Sequence, residues 1–242
     1  MKAAELVLYA LAMSAGPALA APFDLDNWNL NLPIADKAGK SLTVHTPELQ
    51  THSSPYFRAS GDRLVFWSPV RGATTRGSEY PRSELRNTYP NGELRNWGYR
   101  SGTHRLSAKL AVEQIPSSGR IAIGQIHVKN KGTPLLIIYY NKGRIEARFR
   151  PVLGKVPMEP IQLVEKVPLG QRFSYSAMVD DKGVMSVTAA YKAANGSYSA
   201  PIDKSWSKQQ LYFKAGAYVQ DNKGGREEGG KVSFYYLKAF HR

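Results

Sequence analysis

The stretch "LLIIYYNKGRIEARFR", Leu135 to Arg150, reads as two β-strands joined by a tight turn. A run of branched and aromatic residues stops at Asn141-Lys142-Gly143, and a second such run follows at once. Residues of these types favour extended backbone, and glycine is a common turn residue. The stretch "RFSYSAMVDDKGVMSVTAAY", Arg172 to Tyr191, repeats the arrangement around Asp180 to Gly183. Both stretches therefore predict antiparallel hairpins.

The same alternation with a period of two continues through most of the chain. In "NWNLNLP", Trp28, Leu30 and Leu32 fall on one face and asparagines fall on the other, as in a half-buried strand. The segments "RLVFWSPV" and "KVSFYYLKAF" read as further strands. A single short helix is predicted at either Pro47 to His52 or Lys204 to Gln210.

Many short strands with hardly any helix are typical of two sheets packed face to face. We therefore predict an all-β fold, a β-jelly roll sandwich of two antiparallel sheets in which a concave face forms a cleft. No internal repeat or change of composition divides the chain, so residues 21–242 are predicted to form a single domain.

The first twenty residues have the pattern of a secretory signal peptide. An apolar run from Leu6 to Met13 is followed by Ala18-Leu19-Ala20, a small-residue cleavage pattern. The run is too short to span a bilayer. Residues 1–20 are therefore interpreted as a signal peptide, with a disordered tail as the alternative, and the protein is expected to be secreted or periplasmic.

The charge balance points to an anionic partner. The chain has 33 Lys and Arg against 19 Asp and Glu, a net charge of +14. Nucleic acid, an anionic membrane or an acidic polysaccharide would fit, and a merely solubilising surface is the alternative. There is no cysteine, and the five histidines lack the spacing of a metal site. Neither a metal nor another cofactor is therefore predicted, with an oxygen-ligated Ca²⁺ as the alternative.

Three segments each predict a strand with one strongly polar face. In "YPRSELRNT" the face carries Arg82, Glu84 and Arg86, and in "GQIHVKN" it carries Gln125 and His127. In "LYFKAGAYVQ" the residues on one face are Tyr212, Lys214, Gly216, Tyr218 and Gln220. Any one of these faces could simply meet solvent. Three together in a basic protein suggest one sheet that lines a cationic groove.

These residue types narrow the chemistry of such a groove. Glycoside hydrolysis normally uses two carboxylates, but Glu84 is the only acid on the three faces. The flanking arginines lower its pKa and make it a poor general acid, so its expected role is to hold both guanidinium groups.

β-Elimination from a uronic acid polymer suits the other residues better. Arg82, Gln125 and His127 can neutralise the carboxylate next to the C5 proton, which stabilises the enolate-like transition state. Tyr218 can act as base or acid, because Arg82 and Lys214 nearby favour its phenolate form.

The segments "RSELR", "QIH" and "YFKAGAYVQ" resemble the signature segments of the alginate lyases of polysaccharide lyase family 7, and "WNLNLP" resembles the start of that domain. The resemblance runs from about Phe23 to the end of the chain. It implies endolytic cleavage of alginate by β-elimination, giving oligosaccharides with a 4,5-unsaturated uronate at the non-reducing end. It also implies that Arg82, Gln125 and His127 neutralise the carboxylate, and that Tyr218 is the catalytic acid and the base on mannuronate.

The resemblance assigns further roles. It implies that His127 is the base on guluronate, and that Ile126 in "QIH" accompanies activity on guluronate-containing blocks. The positions that it matches to substrate binding are Glu84, Arg86, Lys214 and Gln220, with Lys129 as a further candidate on the face of His127. Two glycine-rich, charged loops, residues 71–80 and 221–230, are candidate lids or plain connections.

Alginate is thus the expected partner, rather than nucleic acid or a membrane, and the protein is expected to be a monomer. Three other readings stay open from the residues alone. They are a non-catalytic module that binds acidic polysaccharide, a nucleic-acid binder, and a lyase for another polyuronate such as glucuronan.

Overall fold

The computed structural model describes residues 23–154 and 158–242. The predicted signal peptide lies outside the described residues. Those residues form fifteen β-strands and two 3-10 helices, Glu48–Gln50 and Lys204–Trp206. The strands are β1 Trp28–Ala35, β2 Ser41–Val44, β3 Phe57–Ser60, β4 Arg63–Pro69, β5 Arg82–Asn87, β6 His104–Gln114, β7 Arg120–Val128, β8 Leu136–Asn141, β9 Arg144–Phe149, β10 Pro160–Val164, β11 Phe173–Val179, β12 Val184–Tyr191, β13 Ala194–Pro201, β14 Leu211–Val219 and β15 Gly229–His241.

The strands build two sheets, which confirms the predicted jelly-roll sandwich. One sheet has eight strands in the order β10-β9-β8-β7-β14-β5-β1-β2, and the other has seven in the order β13-β12-β11-β6-β15-β4-β3. Every pair of neighbours is antiparallel. Strands far apart in sequence, such as β5 and β14, therefore become neighbours.

Both predicted hairpins form. Between β8 and β9 the turn residues Lys142 and Gly143 have φ of 49° and 84°. Positive φ at both central residues matches the right-handed twist of the flanking strands. Between β11 and β12, Gly183 at φ 79° supplies the left-handed turn residue. The helix prediction was imprecise, because each of the two segments offered as alternatives contains one short 3-10 helix.

The core fills the space between the sheets with one face of nearly every strand. Trp28, Leu30 and Leu32 are at most 2% exposed, as the alternation of β1 predicts. Strand β5 differs, because all six of its residues are buried. One face carries Leu85 into the core, and the other carries Arg82, Glu84 and Arg86 beneath neighbouring side chains. This strand therefore forms part of the floor on the outer face of the eight-stranded sheet.

Gly124 adapts β7 to the opposite sheet. The hydroxyl of Tyr175 on β11 donates to the backbone oxygen of Ile123 at 3.0 Å. A Cβ added at Gly124 would lie only 2.4 Å from that hydroxyl oxygen and 2.7 Å from the ring carbon that bears it. The glycine therefore lets a buried tyrosine reach the backbone of β7 two residues before Gln125.

A histidine pair, with His104 buried and His241 half-buried, connects the ends of three strands. Nδ1 of His104 at the start of β6 lies 2.9 Å from Nδ1 of His241 at the end of β15. Nε2 of His241 lies 2.9 Å from Oδ1 of Asn87, and the ring of Trp97 stacks on His104 with centroids 4.2 Å apart. Burial, followed by the charge of Arg95, lowers the pKa of His104 to about 4 and that of His241 to about 3.

Among residues 23–154 and 158–242, no helix has the length and apolar character needed to cross a membrane.

Replacement of Gly124 with alanine is expected to lower the free energy of unfolding by about 1–3 kcal/mol, the usual cost of overpacking. The added methyl group would displace Tyr175 and break its bond to Ile123. Urea denaturation checks this. Gly225→Ala is the control, because a Cβ at Gly225 would meet nothing within 4 Å. Equal stability of the two variants would contradict the packing role of Gly124.

Candidate active site

The three predicted polar faces lie side by side, because β7, β14 and β5 are consecutive in the eight-stranded sheet. Tyr218 is paired with Arg82, and Lys214 is paired with both Arg86 and Gln125. Tyr212 is paired with His127, also between β14 and β7. Sequence alternation predicted the faces, and the strand order brings them together.

These faces line a cleft of about 930 Å³. Predicted site residues in its lining are Arg82, Arg86, Gln125, His127, Lys214, Tyr218 and Gln220. The remaining lining comes from β1, β2, the loop of residues 71–80 and the segment of residues 130–137, together with His45, Leu94 and Tyr212.

Glu84 lies under the floor of the cleft and is fully buried. Its carboxylate accepts hydrogen bonds from Lys214 Nζ at 2.5 Å, Gln125 Nε2 at 2.5 Å and Arg82 Nη1 at 3.0 Å. The prediction that Glu84 binds sugar is therefore wrong in its detail, because Glu84 does not line the cleft. It holds three side chains that do.

Arg86 is not one of the groups that Glu84 holds, contrary to the sequence prediction. Its guanidinium lies 3.6 Å above the ring centroid of Tyr212 and donates to Asn96 Oδ1 at 2.5 Å and to the backbone oxygen of Arg95 at 3.1 Å. Burial lowers its pKa to about 10, so it is still a cation at neutral pH. The loop before β6, rather than Glu84, sets its position.

The charges under the cleft do not balance. Burial alone would raise the pKa of Glu84, but the charges of Lys214 and Arg82 and the hydrogen bonds from Lys214 and Gln125 outweigh it and hold the pKa below its ordinary value. Burial and the charge of Arg82 lower the pKa of Lys214 to about 8. At neutral pH one carboxylate therefore faces two cations, and Arg86 adds a third, so the floor attracts an anion.

His127 is neutral in this setting. Burial, then the charge of Lys214, lowers its pKa to about 4. Its Nδ1 lies 2.9 Å from the backbone nitrogen and 3.0 Å from the backbone oxygen of Val128, and 3.1 Å from the hydroxyl of Tyr212. Nδ1 can therefore accept or donate, and Nε2 is left either as an N–H donor or as a bare base.

Tyr218 closes the site next to Arg82. The guanidinium carbon of Arg82 lies 3.6 Å from the centroid of the Tyr218 ring. The hydroxyl of Tyr218 lies 3.0 Å from Oγ of Ser78, and Arg82 Nη2 donates to the same Oγ at 2.8 Å. Arg82 carries five N–H donors, so hydrogen bonds remain available for a bound anion.

One predicted residue falls outside the site and several unpredicted residues fall inside. Lys129 lies just beyond the end of β7 at Val128, is exposed and does not line the cleft. Asn130 and Lys131 line the cleft instead. The other residues that sequence reasoning missed include Asn29, Asn31, Thr43, His45 and Ser78. The asparagine face of "NWNLNLP" was a usable signal for the first two.

The two candidate lid loops contact each other. Arg71 Nε donates to the backbone oxygen of Gly224 at 2.5 Å, and Asn222 Nδ2 donates to that of Glu79 at 3.4 Å. Four residues of the first loop, 75–78, line the cleft, and no described residue of the second loop does. Whether either loop moves as a lid stays a prediction.

The arrangement supports proton transfer beside a neutralised anion. Among residues 23–154 and 158–242, no three histidine, aspartate or glutamate side chains are placed to hold a metal ion. The cleft offers cations and neutral hydrogen-bond donors for a carboxylate, and it presents a phenol and a neutral imidazole that can move protons.

Comparisons with known proteins agree on one family. The family model described as "Alginate lyase" matches residues 23–241. An alginate lyase of Klebsiella pneumoniae is 28% identical, over 98% of this chain and 96% of its own. A solved alginate lyase from Pseudomonas aeruginosa is 38% identical with a TM-score of 0.84, over 90% of this chain and 100% of its own. A family 7 alginate lyase variant solved in complex with a substrate written GGMG is 31% identical with a TM-score of 0.79, over 93% of this chain and 97% of its own.

Replacement of Glu84 with glutamine is expected to lower the free energy of unfolding by about 3–5 kcal/mol, because it leaves two buried cations without their anion. Urea denaturation measures the change. Glu113→Gln is the matched control, since Glu113 also faces two cations, Lys231 at 2.9 Å and Arg63 at 3.6 Å, but in a partly solvent-exposed position. Its expected loss is under about 1 kcal/mol. A loss for Glu84→Gln no larger than that would contradict the buried anchor.

The imidazole of His127 is expected to titrate at about pH 4, because burial and the charge of Lys214 disfavour its cation. Histidine NMR signals followed against pH test this, with His127 assigned by the loss of its signal in His127→Asn. Lys214→Met should move the midpoint upward, because it removes the charge that disfavours the imidazolium most. A midpoint near the ordinary 6.5 in the unmodified protein would contradict the neutral, buried state.

Proposed function

The chain belongs to the alginate lyases of polysaccharide lyase family 7, and from this premise we propose that it cuts alginate internally, with a preference for guluronate-containing blocks. The products are oligosaccharides with a 4,5-unsaturated uronate at the non-reducing end. The family 7 relative bound to the substrate GGMG supports alginate as the polymer that this cleft takes.

The buried ion cluster around Glu84 carries the proposal. The substrate carboxylate next to C5 gains negative charge when the C5 proton leaves, and fixed donors lower the energy of that state. Arg82 and Gln125 are fixed by Glu84 at 3.0 Å and 2.5 Å, and both also line the cleft. They are therefore oriented before the substrate arrives. The net positive floor adds attraction for the same carboxylate.

Proton transfer is assigned to Tyr218 and His127. On mannuronate, the phenolate of Tyr218 takes the C5 proton and then returns it to the departing O4, while the C4–O4 bond breaks and C4=C5 forms. On guluronate the C5 proton lies on the other side of the ring. There, the bare Nε2 of His127 takes it and the phenol of Tyr218 protonates O4. The low pKa of His127 keeps its ring neutral for this task over the whole neutral range.

The guluronate preference rests on the resemblance carried by "QIH" and on the role of His127 as the base on guluronate. Ile126 is fully buried and points into the core, so it does not touch the sugar. Its effect would pass through the placement of its neighbours Gln125 and His127 on β7.

The extent of the cleft supports internal cutting. Its lining runs from Thr43 on β2 to Ile137 on β8, across six consecutive strands of the sheet. At roughly 4.8 Å between strands, this is a span of about 24 Å, enough for several sugar units.

The N-terminal pattern supports a location outside the cytoplasm, either secreted or periplasmic, and the active form is proposed to be a monomer. Size-exclusion chromatography with light scattering tests the oligomeric state.

With separate polyguluronate and polymannuronate, absorbance from the new C4=C5 double bond should rise on both polymers and faster on polyguluronate. Viscosity should fall well before reducing ends accumulate, because internal cuts shorten chains early. Tyr218→Phe should lower kcat by at least about a hundredfold, as expected for loss of a proton-transfer group.

Tyr236→Phe is the control, since Tyr236 is 46% exposed on the seven-stranded sheet. An equal or faster rate on polymannuronate would contradict the block preference, and reducing ends in step with viscosity would contradict internal cutting. Glucuronan is tested in parallel, and faster cleavage of it would reassign the substrate.

A further inference from the structure

Ser78 is the residue of the 71–80 loop that hydrogen-bonds to two groups of the proposed reaction. Its Oγ lies 3.0 Å from the Tyr218 hydroxyl, and Arg82 Nη2 donates to the same oxygen at 2.8 Å. Oγ also lies 3.0 Å from the backbone oxygen of Tyr80, and it accepts a hydrogen bond from the backbone nitrogen of Tyr80 at 3.3 Å. Ser78 is half-buried and lines the cleft. Neither the mechanism above nor the sequence prediction gives it a role.

A count of protons shows what this hydroxyl can do. A serine hydroxyl has one proton to donate and two lone pairs to accept with. Arg82 and the backbone N–H of Tyr80 occupy both lone pairs as donors. The carbonyl of Tyr80 and the oxygen of Tyr218 can both accept from Ser78. The single proton of Ser78 therefore has two possible acceptors, the carbonyl of Tyr80 and the oxygen of Tyr218.

The choice between them depends on the state of Tyr218. While the phenol keeps its proton, its oxygen is a neutral acceptor, and Ser78 donates to the carbonyl of Tyr80. Once the phenol has lost its proton, its oxygen is a charged acceptor, and hydrogen bonds to charged acceptors are the stronger ones. A rotation about the Cβ–Oγ bond then turns the serine proton to Tyr218.

We propose that Ser78 is a positioning residue for Tyr218, whose hydroxyl donates to the phenolate whenever Tyr218 has given up its proton. The role rests on the proposed function and deepens it. On mannuronate the phenolate exists before C5 is attacked, and on guluronate it forms when O4 takes the phenol proton. Ser78 stabilises the same species in both cases, while Arg82 holds the serine oxygen in place.

The contact between Ser78 and Tyr218 also makes the reaction depend on the position of the 71–80 loop. Ser78 and its neighbours 75–77 line the cleft on one side of Tyr218. A loop that swings away would take the serine donor with it, so full activity requires the loop to be in the position seen here.

The test compares Ser78→Ala, Ser78→Thr and the unmodified protein. Each is labelled with ¹³Cζ-tyrosine, and the NMR signal of Tyr218 is identified by its loss in Tyr218→Phe. In Ser78→Ala the midpoint of phenol ionisation should move up by about one pH unit, and kcat should fall about tenfold with KM changed by less than about twofold. Ser78→Thr keeps the hydroxyl and should restore both values.

Ser83→Ala is the matched control. Ser83 follows Arg82 on β5, but its hydroxyl donates to the backbone oxygen of Tyr56 at 2.8 Å, away from the cleft. This variant should leave the Tyr218 midpoint unmoved. An unmoved midpoint in Ser78→Ala, or a loss of activity there that lies in KM alone, would overturn the proposal. The titration needs no substrate, so it still decides the role of Ser78 if no polymer is cleaved.

Discussion

The interaction on which the site depends is the buried carboxylate of Glu84, bound by Lys214, Gln125 and Arg82. A single anion under the floor of the cleft permits two cations to be buried beside it and fixes a neutral amide at the same time. Burial of unpaired cations would be costly, and burial of fully balanced charges would give no attraction for a polyanion. One carboxylate for two cations meets both requirements. The carboxylate that the sequence predicted to be a holder of guanidinium groups, and a poor general acid, is thus the structural centre of the site.

The sandwich makes this arrangement possible. The floor strands must be buried on both faces, and the core behind β5, β7 and β14 is filled by Leu85, Ile126 and Phe213, none of which has measurable exposure. Side chains on the outer face are therefore held by a rigid backbone. Donors held in place before binding lose little freedom when the substrate arrives, which is the main advantage of a site built on strands.

Local patterns in the sequence predicted much of this, and distant contacts account for the errors. Turn residues such as Gly143 identified the hairpins, and alternation put Arg82 and His127 on polar faces. The sheet order, which puts Asn29 and Asn31 in the same cleft, cannot be read from one strand at a time. Arg86 depends on Asn96 and Tyr212, a contact made by tertiary folding. Ser78 lies in a loop with no period, and Lys129 was misplaced because the period ends with the strand at Val128.

The histidine pair at the strand ends, His104 with His241, has a consequence for the enzyme in acid. Both rings, like that of His127, are held neutral at a pKa of about 4 or below, whereas a histidine in an unfolded chain binds a proton near pH 6.5. Between pH 6.5 and about 4, protons therefore act as ligands of the unfolded chain, and each unit of acidification favours unfolding more. Above pH 6.5 this linkage vanishes. Burial keeps the imidazoles uncharged both at the strand ends and in the cleft. Acid therefore opposes the folded state and the neutral form of His127 in the active site over the same pH range.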